Sequence, residues 1–267
     1  MKKIEIKELK EIQVKILDVF VKFCDNNNLK YFLTYGTLLG AIRHKGYIPW
    51  DDDIDVSMPR PDYERFIQMF NNQESDYKVI HHTINEKYPI PIAKVYDSRT
   101  TLIEQFSDKF NVGINIDIFP IDGLPDDKQK AVNHLKKVIF WRNVQNTKNR
   151  SIAYKSVWYK NLLVLLLKLP TAFISDIKIN KIITKLATTY DYQTSNFVAN
   201  CTAPDGVHEI LEKSKTYSDQ TEVPFEGKAY KAPNGYDNYL KTIYGDYMKF
   251  PPLEQQVSEH FSKAYWK

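Results

Sequence analysis

The sequence predicts an α+β fold: a mixed sheet with flanking helices and a basic helical insert. Helical and strand periodicities alternate through the first 125 residues, the pattern becomes helical from Asp127 to about Tyr190, and mixed patterns return from Phe197. Hydrophobic residues make up 43% of the 267 positions, which is enough to bury a core and excludes a disordered chain. With 9 glycines and no repeat of fixed period, collagen-like and glycine-repeat architectures are also excluded.

The first helix is predicted from apolar residues that recur at helical spacing between Leu9 and Phe23, ahead of the turn signal Asp25-Asn26-Asn27-Asn28. Later elements follow from the same two periodicities and from the positions of glycine and proline. They are a strand at 31–34, a helix at 36–43, a strand at 54–58, a helix at 61–70, strands at 77–81, 92–96, 101–105 and 114–119, and a late helix at 236–244.

These patterns divide the chain into three predicted parts. Residues 1–125 form a core that includes the strand carrying Asp117, residues 126–192 form the basic helical insert, and residues 193–267 complete the core and the substrate site. The 267 residues therefore need not form two independent domains.

The charge is concentrated in one segment. Residues 128–185 contain 13 lysines and arginines and one acid, a net charge of +12, which leaves −8 for the rest because the whole chain carries +4. The apolar run 162–167 inside it has six residues, whereas a membrane span needs about 20. Either the segment is a buried helical insert with solvated lysines, or it is a basic surface that contacts anionic lipid or a polyanionic substrate. No recognition motif for nucleic acid accompanies the charge.

The two cysteines, Cys24 and Cys201, are far apart and match no metal-binding spacing. We expect two free thiols in a reducing compartment. The first residues lack the apolar run of a signal peptide, so we expect a cytoplasmic protein.

The most informative stretch contains Asp53 and Asp55, two residues apart on a predicted strand. Side chains at that spacing point to the same side, and two adjacent carboxylates repel each other unless a cation lies between them. Oxygen ligands suit Mg²⁺ or Mn²⁺. An EF-hand beginning at Asp51 is excluded, because Val56 and Asp62 stand where the loop needs glycine and glutamate.

Two further features complete the candidate site. Gly36-Thr37 lies between a strand and a helix, where a phosphate can approach the backbone and the helix N-terminus; an ordinary helix start capped by Thr37 explains the same residues. Asp117 lies in a strictly alternating segment from Ile114, so it projects from a strand whose Ile116 and Ile118 face the core. It reaches the other aspartates if the two strands are neighbours, and is otherwise part of a solvated edge strand.

These motifs resemble those of the LicD family of phosphocholine transferases, a branch of the nucleotidyltransferase superfamily. The resemblance covers Gly-Thr-Leu-Leu-Gly-Ala-Ile-Arg at 36–43, Pro-Trp-Asp-Asp-Asp-Ile-Asp at 49–55 and Asp-Ile-Phe-Pro-Ile-Asp at 117–122, and it resumes near 239–252. It implies a nucleotidyltransferase-like catalytic core in residues 1–125.

The resemblance also implies an activity: transfer of phosphocholine from CDP-choline to a sugar hydroxyl of a cell-wall or surface glycan, such as a lipid-linked teichoic acid precursor, with release of CMP. Asp53, Asp55 and Asp117 would then be the catalytic and metal-binding residues. Gly36 and Thr37 would hold the diphosphate.

Four more residues are candidates for substrate binding. Arg43 and Lys94 are cations suited to a phosphate, although Lys94 is equally well explained as a solvated strand lysine. Asp51 and Asp122 are candidates for orienting ligands, and Asp51 also for touching metal. Aromatic faces bind quaternary ammonium groups, and the candidates include Trp50, Tyr88 and Tyr244.

Three alternatives stay open at this point. The protein could transfer a nucleotide to a small molecule, transfer another phosphoalcohol such as ribitol phosphate, or bind a nucleotide or sugar without catalysis. The basic segment 128–185 adds the expectation of peripheral contact with the inner face of the cell membrane.

Overall fold

The computed structural model describes residues 2–103, 112–149, 174–257 and 263–267. The apolar run 162–167 and the last two residues of the strand predicted at 101–105 lie outside these ranges. Within them the predicted α+β fold is confirmed, with a mixed sheet and flanking helices.

Apart from the four-residue helix Lys213–Thr216, which no pattern predicted, the helices of the described residues closely follow the helical patterns. They are α1 (Ile6–Asn26), α2 (Tyr35–His44), α3 (Arg60–Met69), α4 (Lys128–Asn149), α5 (Asp176–Ala187), α6 (Lys213–Thr216) and α7 (Tyr236–Tyr244).

The strands include several that the patterns did not delimit. They are β1 (Lys2–Ile4), β2 (Phe32–Leu33), β3 (Asp55–Pro59), β4 (Tyr77–Ile80), β5 (Ala93–Asp97), β6 (Thr100–Ile103), β7 (Asn115–Leu124), β8 (Phe197–Ala199), β9 (Leu211–Glu212), β10 (Gln220–Phe225), β11 (Lys228–Pro233) and β12 (Lys263–Trp266).

The main sheet is organised around β7. Its strand order is β2-β3-β7-β5-β4, and the far end of β7 also pairs with β8, which pairs with β9. The β3–β7 pair is parallel and the other pairs are antiparallel. A parallel neighbour brings the beginnings of β3 and β7 to the same edge of the sheet, and each of these beginnings carries an aspartate.

The core lies between this sheet and the helices that cover it. Leu17 and Phe20 of α1 are fully buried, and the Phe20 ring meets Phe66 of α3 edge-on with the ring centroids 5.1 Å apart. Burying each such side chain contributes about 1.5–3 kcal/mol. Ile54 and Val56 on one side of the aspartates are buried completely, as the alternating pattern predicted.

Helices α4 and α5 of the basic segment pack against each other and form a second apolar cluster with β8. Leu135, Ile183 and Cys201 are fully buried in it. Both cysteines are free and buried, which confirms the expectation of two free thiols. The three-part division of the chain stays a prediction. No helix within the described ranges is long and apolar enough to cross a bilayer.

Candidate active site

Asp55 and Asp117 occupy facing positions on neighbouring strands. They are register partners in the parallel β3–β7 pair, and the Asp117 N–H donates a 2.9 Å hydrogen bond to the Ile54 carbonyl. Strands in a sheet are about 4.8 Å apart, so the two side chains project as neighbours from the same edge. The structure therefore brings together the two segments that sequence reasoning could join only conditionally.

Asp53 reaches the same place by a different route from the one expected. Strand β3 begins at Asp55, so the prediction that Asp53 and Asp55 alternate on one strand is wrong, and Asp53 belongs to the loop before it. The charges of Asp53, Asp117 and Asp51 all act on the carboxyl of Asp55. We refer to Asp51, Asp53, Asp55 and Asp117 as the acid cluster.

The acid cluster is electrostatically costly. Burial raises the pKa of Asp55 well above its ordinary value, and the negative charges of Asp53, Asp117 and Asp51 raise it further. Burial also raises the pKa of Asp51. Both shifts mean that the protein holds carboxyl groups where their negative forms are disfavoured, which is typical of a site that receives a cation.

Lys94 is the cation that the protein itself supplies. It faces Asp117 across the antiparallel β5–β7 pair, with its Nζ 2.9 Å from Asp117 Oδ1 and 3.0 Å from Asn115 Oδ1. Only 8% of Lys94 is exposed, so the interpretation as a solvated strand lysine is wrong. The ammonium offsets part of the cluster's charge and fixes the position of the Asp117 carboxylate.

Gly36 and Thr37 lie in the first turn of α2, directly beside the acid cluster. The Thr37 hydroxyl accepts a 2.8 Å hydrogen bond from the Asp55 N–H, so it ties the helix to the start of β3 and does not cap α2. A Cβ at Gly36 would lie 2.6 Å from Asp51 Oδ2, so glycine is what lets this carboxylate approach the helix N-terminus. The first-turn N–H groups of a helix and its dipole favour negative charge at this point.

Tyr35 sets the entry to α2 in a strained conformation. Its φ is +45°, in the left-handed region that non-glycine residues rarely adopt. The hydroxyl donates to Glu209 Oε2 at 3.0 Å and accepts from Asn200 Nδ2 at 3.0 Å, and the N–H of Tyr35 donates to the Tyr239 hydroxyl at 3.3 Å. These contacts from the C-terminal part hold the strained residue, and hence the helix start, in place.

Because Glu209 is one of the residues that hold Tyr35, its protonation makes the stability of the fold depend on pH. Burial raises its pKa to about 7, although the hydrogen bonds from the Asp205 N–H and the Tyr35 hydroxyl oppose the shift. Between the ordinary value of 4.5 and about 7, the folded protein holds the proton and the unfolded chain has lost it. The free energy of unfolding therefore falls as pH rises through this window.

We expect Glu209→Gln to remove most of this decline. The unfolding free energy of the natural protein should fall by about 2 kcal/mol relative to the variant between about pH 5 and about pH 8. Chemical denaturation at several pH values measures it. The exposed Glu222→Gln is the matched control and should follow the natural protein, whereas parallel curves for Glu209→Gln and the natural protein would contradict the assignment.

A cavity of about 600 Å³ opens next to Gly36 and Asp51. Arg43 lines it; its Nη1 donates to the Tyr247 carbonyl at 3.0 Å, and its guanidinium lies 4.7 Å from the centroid of the Phe250 ring. Gly36, Arg43 and Asp51 of the acid cluster therefore line one cavity. The arrangement suits a substrate that combines phosphate groups with a part that fills the cavity.

Comparison with known proteins agrees with this geometry. Residues 28–162 match the model of the LicD/FKTN/FKRP nucleotidyltransferase domain family. The chain is 32% identical to the lipopolysaccharide cholinephosphotransferase LicD of Haemophilus influenzae over 273 aligned positions, which cover 99% of each protein. The protein belongs to the LicD family. Shorter matches join this LicD-family chain to uncharacterized proteins of Rickettsia typhi (42% over 59 residues, 22% of this chain and 19% of the other) and Rickettsia prowazekii (56% over 36 residues, 14% of each).

Asp122 does not join the acid cluster of this LicD-family protein. It lies five residues after Asp117 on β7, roughly 16 Å further along the strand, and is fully buried. Its Oδ1 accepts from Arg60 Nε at 2.6 Å, and its Oδ2 accepts from the Cys201 N–H at 3.2 Å. The structure gives Asp122 a place in a buried ion pair instead of beside a ligand.

Sequence reasoning missed Gln13 and Asn115. Gln13 of α1 is buried, and its Nε2 donates to the carbonyls of Asp52 at 2.9 Å and Asn115 at 3.2 Å, which joins the loop before β3 to the start of β7. The signal for Gln13 was a polar residue in the apolar stripe of a helix. The signal for Asn115 was its spacing of two from Asp117, which puts both on the same face.

The acid cluster fits a hard divalent cation, because its potential ligands are carboxylate oxygens. The neighbouring carboxylates raise the pKa of Asp55, so a bound cation would offset their repulsion. The carboxylate oxygens of Asp53, Asp55 and Asp117 do not all lie within 4.8 Å of one another. Among the described residues, the group of three potential ligands whose atoms all lie within 4.8 Å of one another is Asp205, His208 and Glu209. Glu209 in that group is already engaged by Tyr35, so we assign no ion there.

Proposed function

We propose that the protein transfers phosphocholine from CDP-choline to a sugar hydroxyl of a cell-wall or surface glycan, with release of CMP. The observation that carries the proposal is the facing pair Asp55 and Asp117 beside the Gly36-Thr37 helix start. The end-to-end similarity to a cholinephosphotransferase supports the choline part. A teichoic acid precursor is the acceptor class that we expect first.

In the proposed reaction the sugar oxygen attacks the choline-bearing phosphorus in line with the departing CMP. A new oxygen–phosphorus bond forms, the bond between that phosphorus and the bridging oxygen breaks, and CMP leaves with the electron pair. The proton of the sugar hydroxyl passes to the Asp117 carboxylate, which Lys94 holds in position.

The remaining residues bind and orient the donor. Gly36 and the first turn of α2 present N–H groups to the diphosphate, and Arg43 adds a positive charge. Thr37 acts as a positioning residue through the backbone of Asp55. Mg²⁺ or Mn²⁺, held by Asp53 and Asp55, with Asp117 as a further candidate ligand, would supply positive charge against the diphosphate when bound.

The test incubates the purified full chain with CDP-choline, Mg²⁺ and a teichoic acid precursor, and in parallel with a lipopolysaccharide saccharide or with CDP-ribitol as donor. CMP release together with a phosphocholine mass increase on a glycan supports the proposal. Incorporation of nucleotide into the acceptor would show that the reaction is nucleotidyl transfer. A preference for CDP-ribitol would show that the protein transfers another phosphoalcohol. Binding without any turnover would favour a non-catalytic role.

We expect Gly36→Ala to impair transfer without unfolding the protein. The added methyl group would displace the Asp51 carboxylate from the helix N-terminus, while alanine is itself favourable within a helix. Steady-state kinetics should show a loss of about 10²-fold in kcat/KM, a magnitude typical of a misplaced reacting group. Gly206→Ala, where the backbone is extended (φ −165°) and the added methyl group would meet the exposed side chain of His208, controls for the general effect of the substitution; equal kinetics for Gly36→Ala and the natural protein would contradict the role of Gly36.

We also propose that the basic segment 128–185 contacts anionic lipid at the inner face of the cell membrane. Its net charge of +12 supports this proposal through attraction to acidic headgroups. Co-sedimentation with anionic vesicles should be strong at low salt and weak at high salt. Absence of binding at low salt would eliminate the proposal.

A further inference from the structure

The cavity beside the acid cluster is rich in aromatic side chains. Four of them line it, namely Trp50, Tyr244, Tyr247 and Phe250. They come from the loop before β3 and from the end of α7 and the segment after it, so residues far apart in the chain converge on one space. We refer to this space as the aromatic cavity.

One ring of the aromatic cavity already receives a cation. The guanidinium of Arg43 lies 4.7 Å from the centroid of Phe250, a distance at which the ring quadrupole attracts positive charge. The lining also includes the exposed residues Asp246 and Lys249, whose charges offset each other. The aromatic faces, and not the net charge of the lining, are therefore what favours a quaternary ammonium occupant.

Tyr244 connects the aromatic cavity to the reacting centre. It lines the cavity and is 41% exposed. The negative charges of Asp55, Asp51 and Asp53 contribute to raising the pKa of its hydroxyl, after burial and Tyr239. Asp51 of the acid cluster lines the same cavity, so an occupant packed against the Tyr244 ring shares that space with one of the cluster's carboxylates.

We propose that the aromatic cavity binds the quaternary ammonium end of the donor, with the ring of Tyr244 as a specificity-determining contact. The inference rests on the proposed function for the identity of the donor. A trimethylammonium group has no N–H donors, so aromatic faces and a diffuse negative charge recognise it better than discrete hydrogen bonds.

The connectivity of phosphocholine agrees with this placement. Two carbons and one oxygen separate the ammonium nitrogen from the phosphorus, so a cation in the aromatic cavity keeps the phosphorus close to that cavity, whose lining also includes Gly36 and Asp51. A nucleobase would need hydrogen-bonding partners for its ring edge. The lining offers Gln255, Asp246 and Lys249 as such partners, so the nucleotide has to be tested as a competing occupant.

The test measures the binding of two small ligands, each on its own, to the full chain in the presence of Mg²⁺. Tetramethylammonium chloride probes the proposed cation site and CMP probes the nucleotide site, both by isothermal titration calorimetry. Tyr244→Leu should raise the dissociation constant for tetramethylammonium about three- to tenfold, and leave that for CMP within about twofold. Tyr244→Phe, which keeps the ring, should retain the affinity for tetramethylammonium.

Phe140→Leu is the matched control, because Phe140 is 60% exposed on α4 and does not line the cavity. Absence of tetramethylammonium binding to the natural protein would overturn the inference. A weaker affinity of Tyr244→Leu for CMP alone would also overturn it, and would place the nucleotide in the cavity. If transfer from CDP-choline proceeds with an unchanged KM in Tyr244→Leu, the inference fails and the proposed function stands. If tetramethylammonium binding depends on Tyr244 but no CMP is released, the cavity assignment stands and the function fails.

Discussion

The Asp55→Asn variant should lose transfer by about 10³-fold or more and yet be more stable than the natural protein in the absence of metal. The loss follows from the proposed mechanism, in which the side chain that faces Asp117 contributes a charged metal ligand beside the diphosphate. The gain follows because asparagine has nearly the same shape and removes one of several mutually repelling carboxylates. A loss of activity together with a gain in stability distinguishes a cluster that serves function from one that stabilises the fold.

Two measurements check this prediction. Steady-state kinetics follows CMP release, and thermal unfolding is followed with and without Mg²⁺. In the absence of metal, the variant should unfold about 2–4 °C above the natural protein, which corresponds to about 1 kcal/mol for a chain of this size. Mg²⁺ should raise the unfolding temperature of the natural protein and have little effect on the variant.

Asp76→Asn provides the control for this experiment. Asp76 is half-exposed and forms a 3.1 Å pair with Arg99 far from the cluster in sequence, and such a surface pair contributes little to stability. Its variant should keep both the natural activity and the natural response to Mg²⁺. An Asp55→Asn protein that retains full turnover would refute the role of Asp55 as a metal ligand.

The sequence carried enough information to place Asp55 and Asp117 on two strands, although not Asp53, which lies in the loop before β3. The alternation around Asp117 and the apolar pair Ile54 and Val56 predicted which sides of β3 and β7 face the core, and both predictions hold. That these strands are parallel neighbours is a long-range property, which the periodicity of each separate segment does not contain. It had to come from the structure.

Other features of the site depend on registers that no local pattern specifies. Lys94 faces Asp117 because of the antiparallel register between β5 and β7, and a slip of one residue would have turned it to the opposite face. The aromatic cavity likewise depends on where the segment after α7 folds back. The patterns around Tyr244 predicted a helix but not what its end would approach.

The β10–β11 hairpin shows how a weak turn signal hides an element. Its two-residue loop, Glu226-Gly227, has φ values of +48° and +77°. Two positive φ values are typical of a type I′ turn, for which Asn-Gly or Asp-Gly is the usual sequence. Glutamate at the first position obscured the hairpin.

Disruption of the Arg60–Asp122 pair should produce the largest loss of stability of any change considered, with little effect on the chemistry. Asp122 is fully buried and the Arg60 side chain is 11% exposed, with 2.6 Å between Nε and Oδ1. Arg60→Met would leave the Asp122 carboxylate buried without its ion-pair partner. Breaking a buried pair in this way costs about 3–5 kcal/mol.

The double variant Arg60→Met/Asp122→Asn tests whether this pair is structural. It removes both charges and keeps an oxygen that can accept from the Cys201 N–H, so its loss of unfolding free energy should be well below the sum of the two single losses. Denaturant unfolding of the four proteins completes the cycle, and kcat of the folded double variant should stay within about threefold of the natural value. A double variant that is stable but has lost transfer by 10²-fold would instead return Asp122 to the reaction site. Its position at the far end of β7, beyond the reach of the acid cluster, is the physical reason to expect the first result.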